Sequence, residues 1–541
     1  MKENKKYILL LFAISLIFYC LVFFSGHYKG HDYSFHYYQI SDYVERIDAN
    51  HLFPSPISKT LANSFGYGSS LFYPPFMHLL TAYIVKLSPM NVNMGINFVN
   101  FLSFFLSSIT MYFLAKRLFN NNKISFFASI LYMLFTYHIA DIFIRSSYAE
   151  SWIFVFFPMI LSGLIELSRG NYKKFYTLFI VGYVFSIYSH YLSIFYLTFL
   201  LLPFFIFYFK DIFEKKKILA LCLSAILILM ISSPLIVSIL EHRILGDYRV
   251  FHPDIMTTDI SFHNSILSIS DLFLSLNSGW SRGVPVFVGY EIWILLFAVL
   301  FYRKKLESSF KKERLFLLVM SIITIFLLCF KSIWDTLPIL QMIQFVWRLL
   351  ILLAVTFSLL ASLSLLVIDK KYHIVLIVFC IIYGSIININ IIKSSPKLDG
   401  EYRYSLGFQS EYLPTTCPTI YIPERDKGIL VLEGDASIDI LKDDVPNLVF
   451  QVNQLEMEVV LELPRIYYLG YALKDEKGNS IFLEESEYGF LKASLSKEGK
   501  YTLSYEGTKY MNYSQVCAFL GMTLFALNLF YCKRQSVNKT K

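Results

Sequence analysis

Few residues in this chain are equipped for chemistry, and they fall in a handful of short stretches. Gly30-His31-Asp32 is followed by Tyr33, Phe35, His36, Tyr37 and Tyr38. Partial withdrawal from water raises a carboxyl pKa, which suits Asp32 to take a proton from a sugar or lipid hydroxyl. Asp also favours helix N-caps, and a helical pattern follows at once, so a plain capping role fits the same spacing. His36 lies one turn beyond Asp32 on the same face. Two ligands do not make a metal site, since closed sites need about four, and a hydrogen-bonded Asp32–His36 pair is the simpler expectation.

Arg145-Ser146-Ser147-Tyr148-Ala149-Glu150 offers a forked guanidinium matched to phosphate and a second carboxylate, Glu150. An interfacial arginine serving ordinary lipid headgroups is the alternative. Arg348, in Gln344-Phe345-Val346-Trp347-Arg348, invites the same two readings. His190, among Tyr188, Ser189 and Tyr191, is expected to be a packed interface residue. Tyrosines of the polar loops, Tyr73 in Tyr73-Pro74-Pro75 among them, suit stacking against sugar.

These residues are set in a greasy chain. Of 541 residues 56% are hydrophobic and only 16% charged, against about a quarter charged in soluble domains. Repeated apolar runs of roughly 20 residues identify a polytopic α-helical membrane protein. The first, Tyr7 to Ser25, follows Lys2, Lys5 and Lys6 without a small-residue cleavage site and is expected to be a retained signal anchor. The net charge of +8 falls in short basic clusters between the runs, a topology pattern and not a nucleic-acid footprint. Of the seven cysteines only Cys417 lies in a polar region, so no disulfide framework or cysteine metal site is expected.

If every basic cluster faces the cytoplasm, an even number of crossings must separate each from the next. Phe76 to Leu87 breaks that rule if counted, is short, and starts at Pro74-Pro75, so it is expected to lie in or dip into the outer leaflet. About twelve crossings then remain, from Tyr7–Ser25 to Tyr513–Cys532, with both termini inside. They include Phe175–Tyr191, Ile194–Phe209, Val288–Tyr302 and Leu315–Phe330. The expected divisions are a membrane domain over 1–392 with its first outer loop at 26–76, an outer domain over 393–511, and a final helix and tail over 512–541. In the outer domain Leu455, Met457, Val459, Leu461 and Leu463 alternate with Glu456, Glu458 and Glu462, the period of a half-buried strand. Turns at Lys477-Gly478-Asn479 and Glu498-Gly499 complete the signature of a small antiparallel β-sandwich.

In their order along the chain, Asp32 after the first helix, Tyr73-Pro74-Pro75, Arg145 to Glu150, Gln344 to Arg348, and Leu463-Pro464 with Tyr468-Leu469-Gly470-Tyr471 resemble the GT-C superfamily of membrane glycosyltransferases. Within it the chain looks most like the bacterial YfhO-like branch and the 6-pyruvoyl-tetrahydropterin-synthase-related membrane proteins, although no three-histidine zinc cluster for pterin chemistry is present. The resemblance implies sugar transfer with inversion from a polyprenyl-phosphate-linked donor to a cell-envelope glycan or lipid acceptor, at the outer face of a bacterial plasma membrane. It implies that Asp32, with His31 beside it, is the base, and that Arg145 and Arg348 hold the phosphate. His36, His190 and Tyr73 would bind substrate, and Glu150 would orient the acceptor or bind a divalent ion such as Mg or Mn. No second acid adjoins Asp32, a departure that puts a tightly held metal in doubt and leaves metal-independent chemistry at least its equal. A lipid-linked-saccharide flippase and a non-catalytic envelope assembly protein are the competing classes.

Overall fold

The computed structural model describes residues 2–24, 30–49, 51–252, 265–273, 280–281, 284–306, 309–336, 343–394, 410–419, 421–455 and 457–538. The head of the 26–76 loop, parts of the 241–287 and 331–344 loops, the start of the 393–511 region and Glu456 lie outside the described residues.

Among the described residues eight helices are long and apolar enough to cross a membrane, or nine if Asn122–Met133 and Thr136–Phe143, bent by 45°, form one span. That is fewer than expected, for three physical reasons. Tyr290–Phe301 has only 12 residues. Lys311–Cys329 opens on Lys311, Lys312, Glu313 and Arg314, which dilute its apolar run. The expected crossings at Phe175–Tyr191 and Ile194–Phe209 share one continuous helical segment, Tyr172–Phe199, broken at His190 (φ −154°, ψ 84°).

That break reverses the chain. The Thr198 hydroxyl donates to the Tyr183 hydroxyl at 3.2 Å. On a straight helix their Cα atoms would be about 22 Å apart, beyond the reach of both side chains. The two halves must therefore turn through more than a right angle at His190, so the segment is a hairpin. Phe76–Leu87, at 12 residues, is about 18 Å long and too short for a ~30 Å hydrocarbon core.

The basic clusters gather at one end of the bundle. Arg117 meets Glu166 at 2.9 Å, and Arg169 donates to the Arg117 carbonyl. Lys217 Nζ donates to the carbonyls of Ser168 and Asp211 at 3.2 and 2.7 Å, and Lys312 pairs with Asp211. Asn122 donates to Glu3 at 2.6 Å, and Lys305 to the Val367 carbonyl at 3.1 Å. The helices that begin at Tyr148 and Val346 run from the opposite end towards this one.

The C-terminal region forms two antiparallel sheets. One has four strands in the order Leu430–Glu433, Val459–Ile466, Phe490–Leu495, Glu484–Glu485; the other has five, Ser437–Asp444, Asn447–Asn453, Gly499–Tyr505, Tyr471–Lys474, Ser480–Ile481. Leu448, Phe450, Leu461, Leu463, Leu491 and Leu503, drawn from both sheets, share one core, as period-two burial requires. The first strand of the alternating stretch begins at Val459, not Leu455, and Met457 is 82% exposed. Gly478 (φ +81°) makes the turn expected at Lys477-Gly478-Asn479.

Residues 57–73 of the first loop join the two parts. Phe65, Tyr67, Leu71 and Phe72 pack with Tyr412, Ile466, Tyr468 and Phe490. The Ile466 N–H donates to the Phe65 carbonyl at 2.9 Å. Gly66 (φ +83°) cannot be replaced freely, because a Cβ there would lie 2.9 Å from the Tyr471 hydroxyl.

Candidate functional site

At the end of the bundle remote from the basic clusters, the first loop is laced to the Ile144–Ser146 turn. The His31 and Asp32 N–H groups donate to the Ile144 and Arg145 carbonyls at 3.1 and 2.8 Å, and the Gly30 N–H donates to Ser146 Oγ at 3.0 Å. Only glycine permits this approach, since a Cβ on Gly30 would stand 2.3 Å from the Ile144 oxygen. The lacing sets Asp32 beside Arg145, residues more than a hundred positions apart.

Asp32 occupies the N-cap position of Tyr33–Arg46, yet its side chain makes no capping bond. Its carboxylate is half-buried and accepts no hydrogen bond among the described residues. Burial pushes the carboxyl above its ordinary range; Arg145, His31 and Arg348 pull it back only in part.

Behind Asp32 lies a charged network. Arg145 Nη1 donates to Asp141 at 2.7 Å, Glu150 at 2.8 Å and the Tyr137 hydroxyl at 2.9 Å. Arg348 Nε reaches the same Glu150 oxygen at 3.3 Å, while its Nη1 donates to the Ile343 carbonyl at 2.6 Å and to Gln344 at 3.0 Å. The other Glu150 oxygen accepts from Tyr137 and Ser193 at 3.2 and 3.3 Å. Phe345 lies between the two guanidiniums, 6.0 Å from that of Arg145 and 5.3 Å from that of Arg348. Nη2 of each arginine has no hydrogen-bond partner among the described residues.

Arg145, Glu150 and Arg348 are thus brought together, but not as surface groups. The arginines are only 4% and 6% exposed and Glu150 is 0% exposed, so neither arginine serves lipid headgroups. Both oxygens of Glu150 are consumed inside the protein, which makes it a positioning residue in contrast to the expected acceptor-orienting or ion-binding role. His190 sits at the reversal of its hairpin, where its Nδ1 accepts from the Ser193 N–H at 3.3 Å. It therefore reaches the network through Ser193.

His36 does not pair with Asp32. Its imidazole turns instead to His78, Nδ1 to Nε2 at 2.8 Å, because the Phe76–Leu87 helix packs against Tyr33–Arg46. Tyr73 closes over this pair, 5.2 Å from Phe35 and 5.5 Å from His78 between ring centres. Burial, with the Asp32 charge adding, keeps its phenol protonated. His31 is exposed beside Asp32. Among the described residues no three His, Cys, Asp or Glu side chains are grouped to hold a metal ion, and with Glu150 committed to arginine the donors here do not fit a divalent cation.

The network also contains residues that the sequence did not single out. Asp141, on the helix Thr136–Phe143, stands four positions before Arg145 in the turn that follows, the spacing of a facing ion pair, and that signal was available. Tyr137, Ser193 and His78 carried none.

The histidine pair has a testable consequence. Burial holds His78 down at about 3 and His36 well below the usual imidazole value, where His78 and His190 depress it further. Unfolding exposes both to protonation near 6.5, so the unfolded state binds more protons and stability falls as pH drops below that value. Going from pH 7.5 to 5.5 is expected to cost about 1.4 kcal/mol per histidine. Thermal unfolding in detergent should show this loss, and His78→Asn should lessen it.

A family model described as a family of unknown function (DUF6541) matches residues 7–375. The chain belongs to this family. The DUF6541 match takes in Asp32, Arg145, Glu150 and Arg348 and stops short of the β region. No curated protein matches the chain.

Proposed function

We propose that this protein is a GT-C-type glycosyltransferase of a bacterial plasma membrane, which moves a sugar from a polyprenyl-phosphate donor to an acceptor hydroxyl of an envelope glycan or lipid. The observation that carries the reading is the half-buried Asp32 carboxylate, without a hydrogen-bond partner among the described residues, held beside two buried arginines whose Nη2 groups likewise have none there. A capping or purely structural aspartate would be hydrogen-bonded there.

In this mechanism Asp32 accepts the proton of the acceptor hydroxyl as its oxygen attacks the anomeric carbon. The bond from that carbon to the phosphate oxygen breaks, its electron pair leaves with the phosphate, and the anomeric centre inverts. Arg145 and Arg348 donate to the phosphate through their free Nη2 groups, where charge builds up. Glu150 holds both guanidiniums in place, and Asp141 shares Arg145. No step needs a metal.

The topology that goes with this reading has about twelve crossings, both termini in the cytoplasm and the β region outside. Its support is the gathering of the basic clusters at one end and the hairpin at His190, which supplies two passes. A cysteine at the exposed Asn120 is expected to resist an impermeant maleimide in intact cells and to react after permeabilisation. Labelling from outside would invert the assignment.

Transfer in proteoliposomes, with a panel of polyprenyl-phosphate sugars and membrane-extracted acceptors, tests the function. Donor crossing the bilayer unreacted would replace transfer with transport.

A further inference from the structure

Ser410–Tyr412 is a single helical turn on the segment leading into the β region. Its last residue is fixed from several sides. The Tyr412 ring stacks on Phe72 at 5.6 Å and 18°, and stands 6.5 Å from both Phe35 and Tyr73. The Tyr412 carbonyl accepts from the Tyr468 hydroxyl at 2.8 Å, and its N–H points to the Tyr67 hydroxyl at 3.4 Å. Phe35 follows Asp32 by one turn, and Tyr73 senses the Asp32 charge, so the turn is pinned against a wall of the site. Glu411 adjoins Tyr412, and its Oε2 is shielded from water without a hydrogen-bond partner among the described residues. Folded proteins seldom leave such an atom alone, and a ligand hydroxyl is a partner that would satisfy it. Burial, with the Asp32 charge adding, pushes this carboxyl up to about 7.

We propose that Glu411 is a second substrate-binding carboxyl, which with Asp32 holds adjacent hydroxyls of a carbohydrate acceptor, so that the segment leading into the β region completes the site. The proposal rests on the transferase reading above. A neutral carboxyl donates and accepts at once, which matches neighbouring sugar hydroxyls. The two arginines already meet the phosphate, and a neutral carboxyl offers it no opposite charge, so the group Glu411 holds is the uncharged acceptor and not the donor's phosphate.

The test is steady-state transfer by the full-length protein in proteoliposomes, varying donor and acceptor separately. Glu411→Leu is expected to raise the acceptor KM about 10-fold or more with the donor KM unchanged, the signature of lost acceptor contacts. Glu411→Gln keeps a neutral donor and acceptor, so its acceptor KM should stay near that of wild type at pH 6. In wild type the acceptor KM should rise above pH 7 as Glu411 ionises, and Glu411→Gln should abolish that rise. Among the described residues the groups facing Glu411 are Asp32, Tyr67 and Tyr412; the tyrosines stay neutral in this range, and any titration of Asp32 is common to both proteins. An unchanged acceptor KM in Glu411→Leu, or donor and acceptor KM shifting together, overturns the proposal while the transferase reading stands. No transfer by wild type overturns both.

Discussion

Asp32→Asn is expected to slow sugar transfer by about 10²- to 10⁴-fold, the usual worth of a positioned general base, with the fold unchanged. The carboxylate accepts no hydrogen bond among the described residues, so an amide of the same shape strands nothing. The backbone bonds that hold it, to the Ile144 and Arg145 carbonyls, do not involve the side chain, and asparagine is as good at a helix N-cap as aspartate. Loss of turnover at an unchanged thermal midpoint would separate chemistry from folding. Equal turnover in the variant and wild type would remove Asp32 from the reaction.

Glu150→Ala should have the opposite character. It removes the carboxylate shared by Arg145 and Arg348 and the acceptor for Tyr137 and Ser193. Breaking a buried ion pair by deleting one partner typically costs about 3–5 kcal/mol, because the remaining charge is buried uncompensated. Two guanidiniums are stranded here, although Asp141 retains Arg145 and the Ile343 carbonyl retains Arg348, which places the expected loss within that range. Glu150→Gln keeps the size and an acceptor oxygen and should cost less. The measurement is thermal unfolding of purified protein in detergent, and a wild-type midpoint for Glu150→Ala would show that the network does not hold this end of the bundle.

Much of this arrangement is legible in the sequence because its signals are local. The alternation from Val459 to Leu463 shows as a sandwich strand, and Phe76–Leu87 shows as a short apolar helix starting after Pro74-Pro75. Asp32, Arg145, Glu150 and Arg348 stand out as ionisable groups beside apolar runs. What stays hidden is pairing. Asp32–His36 is the pair that one helix allows, yet a second helix brings His78 to His36 and leaves Asp32 free. Glu150 looks like a second reactive acid until the chain folds and two arginines, 5 positions before it and 198 after it, close on it. The reversal between Phe175–Tyr191 and Ile194–Phe209 is legible, but not that one non-helical residue, His190, makes it inside a continuous helical segment. Such contacts depend on tertiary packing, which no spacing rule encodes.

The bond between Phe65 and Ile466 joins positions about 400 residues apart. At synthesis rates of about 5–20 residues per second, the aromatic patch on the first loop waits roughly 20–80 s for the strand it packs against. Throughout that interval Phe65 lacks its strand, Phe72 has, among the described rings, only His242, Tyr248 and Phe251 to pack on, and for most of it the wall beside Asp32 lacks Tyr412. Translation order thus makes the earliest candidate residue to leave the ribosome among the last to be enclosed, and a chain cut short before Ser410 would keep Asp32 without the wall that Tyr412 forms.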